Sequence, residues 1–420
     1  MNAEKQLAHF LPQGYNGLKS AITVAFPNNR NGLVRPNGRG NYGGIMKIGT
    51  LDPALLGTHI EQRIGEDLQA RRISGAAVAV LQHGKVLYKA AFGTRAPETS
   101  QPLAADALFR IASMTKPVTA VAVLIQAQRG KLDPEDPVAR YLPAYGRLFL
   151  ESGEVCPVPL RIRHLLTHTG GMEAHADAKE RVRAIPAEQN RILADAAEYY
   201  ARLPLAFVPG TKRRYSGRAA FDILGRIVEI TAGMDFATFV QREIFAPCGM
   251  TDTTFAPTEA QWARLVGMHD YRDGCAVTAQ TTPGCVVDAV PVTHPLGGSG
   301  LVSSLDDYVK FAEMLRNRGM TPTGRILPPA AVDRMARPHL DPSLMSVDVN
   351  QGLGVRVITG EGYPWLPVGA YGWSGAYGTH FWVDPVNEIT AVYMKNSRYD
   401  GGSGALTARH FEEDVFRSIR

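Results

Sequence analysis

Apolar residues recur at Ile60, Ile64 and Leu68 with charged residues between them, a spacing that predicts an amphipathic helix ending near Arg72. Beyond it the pattern changes. Residues 76–81 and 86–92 are apolar runs separated by Gln82-His83-Gly84-Lys85, which predicts a hairpin whose small side chains allow close packing against a helix. Near the other end, residues 379–384 and 389–395 flank Pro385-Val386-Asn387-Glu388, a second predicted hairpin, and a helix carrying Leu406, Phe411, Val415 and Phe416 follows. Between the two hairpins the pattern is mostly helical, including 117–127 and an amphipathic stretch over 221–231. This order predicts an α+β fold in which an antiparallel sheet flanked by helices, from about 51–107 and 295–420, joins a mainly helical part over about 108–294. The functional site is expected in the cleft between the two parts.

Residues 1–50 are rich in Asn, Gly and Arg without a sustained period, and read as an N-terminal extension of unknown role. Gly38-Arg39-Gly40-Asn41-Tyr42-Gly43 within it matches G-x-G-x-x-G, but no strand precedes it and no helix clearly follows, which argues against a dinucleotide cofactor. With 420 residues, 45% hydrophobic and 20% charged, the chain can bury one large core or two smaller ones. The net charge of +5 comes from scattered basic residues and gives no reason to expect a nucleic-acid partner. Cys156, Cys248, Cys275 and Cys285 are too few and too widely spaced for a disulfide framework, so reduced thiols are expected. The first 25 residues hold no sustained apolar core of a secretory signal, and no apolar stretch is long enough to span a membrane. A cytoplasmic protein without a membrane partner is expected. The oligomeric state is left open.

Ile111-Ala112-Ser113-Met114-Thr115-Lys116 leads into the helix-compatible run beginning at Pro117, a residue tolerated in a first turn. Ser113 then sits at a helix start with Lys116 three positions on, about 5–6 Å away between Cβ atoms, so the lysine can reach the hydroxyl. A serine is a weak nucleophile until a base takes its proton, and a lysine serves only when its pKa falls from about 10.4 towards neutrality. A shift of about three units corresponds to roughly 4 kcal/mol, which calls for a partly dry site and a neighbouring positive or hydrogen-bonding group. The pair alone is a common coincidence in a chain of this length. Its context carries the argument.

Tyr215 follows the turn Pro209-Gly210-Thr211 and precedes the 221–231 helix; facing Ser113, its phenol would share the general-base role and return a proton to the leaving group. Tyr371-Gly372-Trp373-Ser374-Gly375-Ala376 lies by the C-terminal strands, and its glycines would let a substrate approach the backbone. The Ser113 and Ala376 N–H groups would form an oxyanion hole, with Trp373, Ser374 and Gly375 binding substrate. A packing role for Trp373 is the plain alternative.

In order and rough spacing, Ser113-x-x-Lys116, Tyr215-Ser216-Gly217 and Trp373-Ser374-Gly375 resemble the motifs of class C β-lactamases, DD-peptidases and the β-lactamase-like (family VIII) esterases. The resemblance covers about residues 55–420, with support from Leu165-Leu166-Thr167-His168-Thr169-Gly170-Gly171 and from the 297–304 stretch. It implies the β-lactamase/transpeptidase-like fold and an acyl-enzyme mechanism with Ser113, Lys116 and Tyr215 as the catalytic group. Two positions depart from the lactamase pattern: Gly217 stands where Y-x-N has its amide, and Trp373 where the third motif has a Lys. An uncharged aromatic wall suits an apolar ester better than an anionic lactam. A serine carboxylesterase is therefore expected, acting on a small-molecule ester or acyl substrate. A biosynthetic acyltransferase using the same acyl-enzyme is the first alternative, ahead of a β-lactamase or D-aminopeptidase and of a catalytically silent binding protein.

His164 and His168 have the spacing of two metal ligands on a helix face, yet no Glu adjoins the first His and no third ligand is evident. No metal and no cofactor is expected, and His168 is assigned to a backbone hydrogen bond. No G-x-S-x-G surrounds Ser299, Ser374 or Ser403, which disfavours an α/β-hydrolase elbow.

Overall fold

The first predicted hairpin forms as β1 (Gly75–Gln82) and β2 (Lys85–Gly93) in a computed structural model that describes residues 48–173, 185, 191–281, 286, 294–402 and 404–420. The Gly38-to-Gly43 glycine pattern, Cys285 and nearly all of the N-terminal extension lie outside those residues. His83 and Gly84 make the turn with positive φ values of 51° and 76°, the hand that matches the strands' twist.

Five further strands complete the sheet: β3 (Val349–Gln351), β4 (Arg356–Ile358), β5 (Tyr371–Ser374), β6 (His380–Asp384) and β7 (Ile389–Met394). Their order is β2-β1-β7-β6-β5-β4-β3, with every neighbouring pair antiparallel. Strands from the two ends of the chain therefore meet in mid-sheet, Ala79 opposite Val392.

β1 reads as a continuous apolar run because both of its faces are covered, and successive side chains go to opposite sides. Ala76, Val78 and Val80 pack with Leu56, Ile60 and Ile64 of α1 (Pro53–Gln69) and with Phe411 and Val415 of α6 (Leu406–Arg417). Ala77, Ala79 and Leu81 join Phe311 and Leu315 of α5 (Leu305–Arg316) on the other side. α1 starts earlier than its apolar spacing suggests: Asp52 caps it, accepting from the Ala54 and Leu55 amides, and Pro53 occupies the first turn.

The middle of the chain contributes α2 (Thr115–Gln128), α3 (Leu193–Ala201) and α4 (Ala219–Ala232), whose apolar faces belong to the same cluster as the α5 side of the sheet. It is not wholly helical. His269–Arg272 pairs with Cys275–Thr278 around Asp273-Gly274, a turn with positive φ at both residues, and Leu108–Arg110 pairs with Val302–Ser304 to tie the two ends of this stretch together. Every residue from Thr115 to Gln126 of α2 is buried, which makes this the central helix and leaves Lys116 no route to solvent. Among the described residues no helix is long and apolar enough to cross a membrane.

Candidate active site

Ser113 lies in a 3-10 turn (Ala112–Met114) that leads directly into α2. Ala112 adopts φ +45°, a left-handed conformation that an alanine holds only when its surroundings impose it. They do so here. The Thr115 hydroxyl donates to the Ala112 carbonyl (2.7 Å), Thr379 to that of Ile111 (3.1 Å) and Tyr308 to that of Met114 (2.7 Å), while the Ile111 amide donates to Leu301 (3.1 Å).

Lys116 is fully buried, its Nζ 3.3 Å from Ser113 Oγ and 2.7 Å from each of the Gly217 and Gly298 carbonyl oxygens. No carboxylate lies within ion-pair distance of it among the described residues. Tyr215 Oη stands 2.5 Å from Ser113 Oγ, and the lysine nitrogen sits 5.0 Å from the tyrosine ring centroid. The three residues that the sequence sets 3 and 102 positions apart thus converge on one oxygen.

Aromatic rings form one wall. His168 lies 4.7 Å from Tyr215 and 5.8 Å from Trp373 between centroids, the latter nearly parallel at 13°. His168 Nδ1 accepts from the Ser216 amide, the backbone bond expected of it, and burial together with the Lys116 and Arg213 charges holds its pKa well below the usual value. The neutral ring serves the wall. His164 Nδ1 instead accepts from the Arg161 amide, and burial lowers its pKa to about 4.

The third motif divides over the two faces of β5. Trp373, 8% exposed, belongs to the cluster containing α2 and α4, whereas the Ser374 hydroxyl lies 2.8 Å from His380 on the α6 side. Trp373 therefore joins the Ser113 group through the stacked rings and Ser374 does not. At Gly375 a Cβ would come within 2.3 Å of the Ile111 carbonyl oxygen, so only glycine lets β5 run on past the nucleophile turn. Ala376 follows in an exposed position, and no described residue accepts from its amide.

Several supporting residues carry no mark in the sequence reading. Asp222 accepts from the amide of Gly298, whose carbonyl takes the Lys116 bond; burial, opposed by Arg218, raises the Asp222 pKa to about 6. One oxygen of Glu173 accepts from the Ser216 hydroxyl (2.6 Å) and the Arg218 and Ala219 amides (2.7 and 2.6 Å), capping α4 just beyond Tyr215. The Gly-Gly-Ser-Gly run at 297–300 was the one available signal for Gly298. No cluster of potential metal ligands occurs among the described residues.

A serine at a helix start, a buried lysine one turn on and a tyrosine brought over from the helical part define the class. The Beta-lactamase family profile matches residues 60–413, and the chain belongs to that family. Among individual relatives, Esterase EstB of Burkholderia gladioli is 32% identical over 385 residues, covering 85% of this chain and 95% of its own. Monacolin J acid methylbutanoyltransferase of Aspergillus terreus is 28% identical over 310 residues, 70% of this chain and 73% of the relative. The solved structure of EstCE1, described as a hydrolase with promiscuous acyltransferase activity, superimposes with a TM-score of 0.75 at 25% identity over 87% of this chain and 99% of that one.

Proposed function

We propose that the protein is a serine carboxylesterase that cleaves small-molecule esters through an acyl-enzyme on Ser113. The observation that carries this reading is the Ser113 oxygen held 2.5 Å from Tyr215 Oη and 3.3 Å from Lys116 Nζ. To act as a base Lys116 must react as its free amine, whose two hydrogens the Gly217 and Gly298 carbonyls are placed to take, leaving its lone pair for the Ser113 hydroxyl. Ser113 Oγ attacks the ester carbonyl as its one proton passes to Lys116, and the Ser113 and Ala376 amides receive the developing oxyanion. Tyr215 then gives its phenol proton to the departing alkoxide and takes up the proton held by Lys116; in the second half a water attacks the acyl-enzyme, its proton passes through the same pair to Ser113 Oγ, and the acid is released. Trp373 and the neutral His168 ring give the acyl pocket an uncharged wall, which favours an ester over an anionic lactam. The esterase EstB relative supports the same choice.

Acyl transfer to an alcohol is the second reading, supported by the methylbutanoyltransferase relative and by the description of EstCE1. It shares the acyl-enzyme and differs in what removes the acyl group. In this reading residues 51–420 are the hydrolase domain, and the free thiols of Cys156, Cys248 and Cys275 are compatible with a cytoplasmic location.

The test is pre-steady-state cleavage of p-nitrophenyl butyrate with and without a primary alcohol, beside nitrocefin. An acyl burst that Ser113→Ala abolishes, with butyric acid as the main product, is expected. Butyrate ester as the main product would favour the transferase, and a higher kcat/KM on nitrocefin would reverse the choice of substrate.

A further inference from the structure

Just past β7 a second lysine is buried, and the reaction above leaves it unused. Lys395 is closed off from solvent, and among the described residues its Nζ has one polar partner, Asp400 Oδ2 at 3.3 Å. Asp400 also holds the start of α6, its Oδ1 accepting from the Leu406 amide (2.5 Å) and its Oδ2 from that of Thr407 (3.0 Å). Burial alone would raise the Asp400 pKa, but the Lys395 charge and the Thr407 amide prevail and hold it below the usual carboxylate value.

The pair stands behind the turn that follows β5. That turn closes on itself, the Gly378 amide donating to the Gly375 carbonyl (3.0 Å) and the Gly375 amide to that of Thr379 (2.7 Å). Residues 397–402 lie along its back: the Ser397 amide donates to the Tyr377 carbonyl (2.8 Å) and the Gly402 amide to the Gly375 carbonyl (2.9 Å). The approach is so close that a Cβ on Gly401 would overlap the Ala376 carbonyl oxygen, and one on Gly378 would overlap the Lys395 stem. Lys395 therefore bears on the turn twice, through its stem under Gly378 and through its amine by way of Asp400, the residue before Gly401. In front, Gly375 abuts the Ile111 carbonyl, which accepts from the Thr379 hydroxyl (3.1 Å), so any shift of the turn is a shift relative to Ser113. The exposed Ala376 amide donates to no described residue.

We propose that Lys395 and Asp400 are positioning residues that hold the Ala376 amide where the oxyanion forms. The proposal rests on the esterase reading and on Ala376 as an oxyanion donor. A buried lysine–aspartate pair adds little net stability, because the hydration both groups give up offsets their attraction. What it supplies is a fixed spacing between two chain segments. An oxyanion donor needs such spacing: it must lie about 2.7–3.1 Å from the place the oxygen takes in the transition state, and losing one donor costs about 10²- to 10³-fold in kcat.

The test compares p-nitrophenyl butyrate with its thionoester, which carries C=S in place of C=O, on the full chain. Sulfur accepts hydrogen bonds poorly, so a well-placed hole favours the oxygen ester and a displaced one loses that preference. Wild type should favour the oxygen ester at least about tenfold in kcat/KM. Lys395→Met and Asp400→Asn should each lower this ratio about tenfold, through kcat, with KM changed less than about two-fold. Asp400→Asn keeps a side-chain oxygen for the α6 amides, and it suffices if Lys395→Met does not fold. The double variant leaves no unpaired charge and should regain stability lost in Lys395→Met without regaining the ratio. Because the ratio compares two esters on one enzyme, a general loss of activity cancels. A ratio unchanged in the single variants, or restored together with stability in the double variant, would overturn the proposal. A wild-type ratio near one would remove the oxyanion hole and the proposal with it. Absence of a wild-type burst on p-nitrophenyl acetate would overturn the esterase reading on which both stand.

Discussion

A lysine buried without a carboxylate is costly to a fold, and at Lys116 the partners are two carbonyls and a serine. Lys116→Met keeps the apolar stem and removes the amine. The cost of burying the polar amine disappears while two carbonyls lose a donor at about 1–3 kcal/mol each, so the terms nearly cancel. The variant should unfold within about 2 kcal/mol of wild type, with ester kcat/KM reduced about 10²- to 10⁴-fold, the range of a lost general base. Urea titration and ester kinetics read the two effects separately; intact activity would remove Lys116 from the mechanism. Ser113 and Lys116 were legible in the sequence because a helix turn brings residues three apart together. The glycine carbonyls that complete the lysine's surroundings were not, since a main-chain oxygen is common to every residue type.

At the scale of elements, both hairpins were readable from apolar runs and their turns. The start of α1 was hidden, because an Asp52 cap and a Pro53 first turn, not apolar spacing, decide where that helix begins. The ribbon at 269–278 was missed because its strands are short and partly polar, although Asp273-Gly274 offered a turn signal. Strand alternation corrects one grouping: Trp373 and Ser374 read as adjacent parts of one binding motif, yet they face different layers of the molecule. The Ser374 chain to His380 and Glu412 joins β5, β6 and α6, elements whose contact depends on folding and leaves no short-range pattern.

At the scale of the molecule, buried imidazoles outnumber, among the described residues, the carboxyls that act against them. Burial lowers His164 and His269 to about 4 and His168 well below 6.5, so below pH 6.5 the unfolded chain binds protons that the folded one does not. Stability contributed by these residues is present above pH 6.5 and is lost as the pH falls. Asp222 and Asp414, raised to about 6 by burial, act with the opposite sign and offset part of the loss between about pH 6 and 4. Unfolding free energy at pH 5 should lie below that at pH 7.5 by about 2–4 kcal/mol; equal or greater stability at pH 5 would show that these rings are not held neutral. The central claim concerns a single oxygen, that of Ser113, and is tested most directly by quenching the enzyme during turnover of p-nitrophenyl butyrate, measuring its intact mass and mapping the adduct by peptide. One butyryl group on the peptide containing Ser113, absent from Ser113→Ala, is the predicted result. Continued turnover with no adduct, or with the acyl group on another residue, would contradict it.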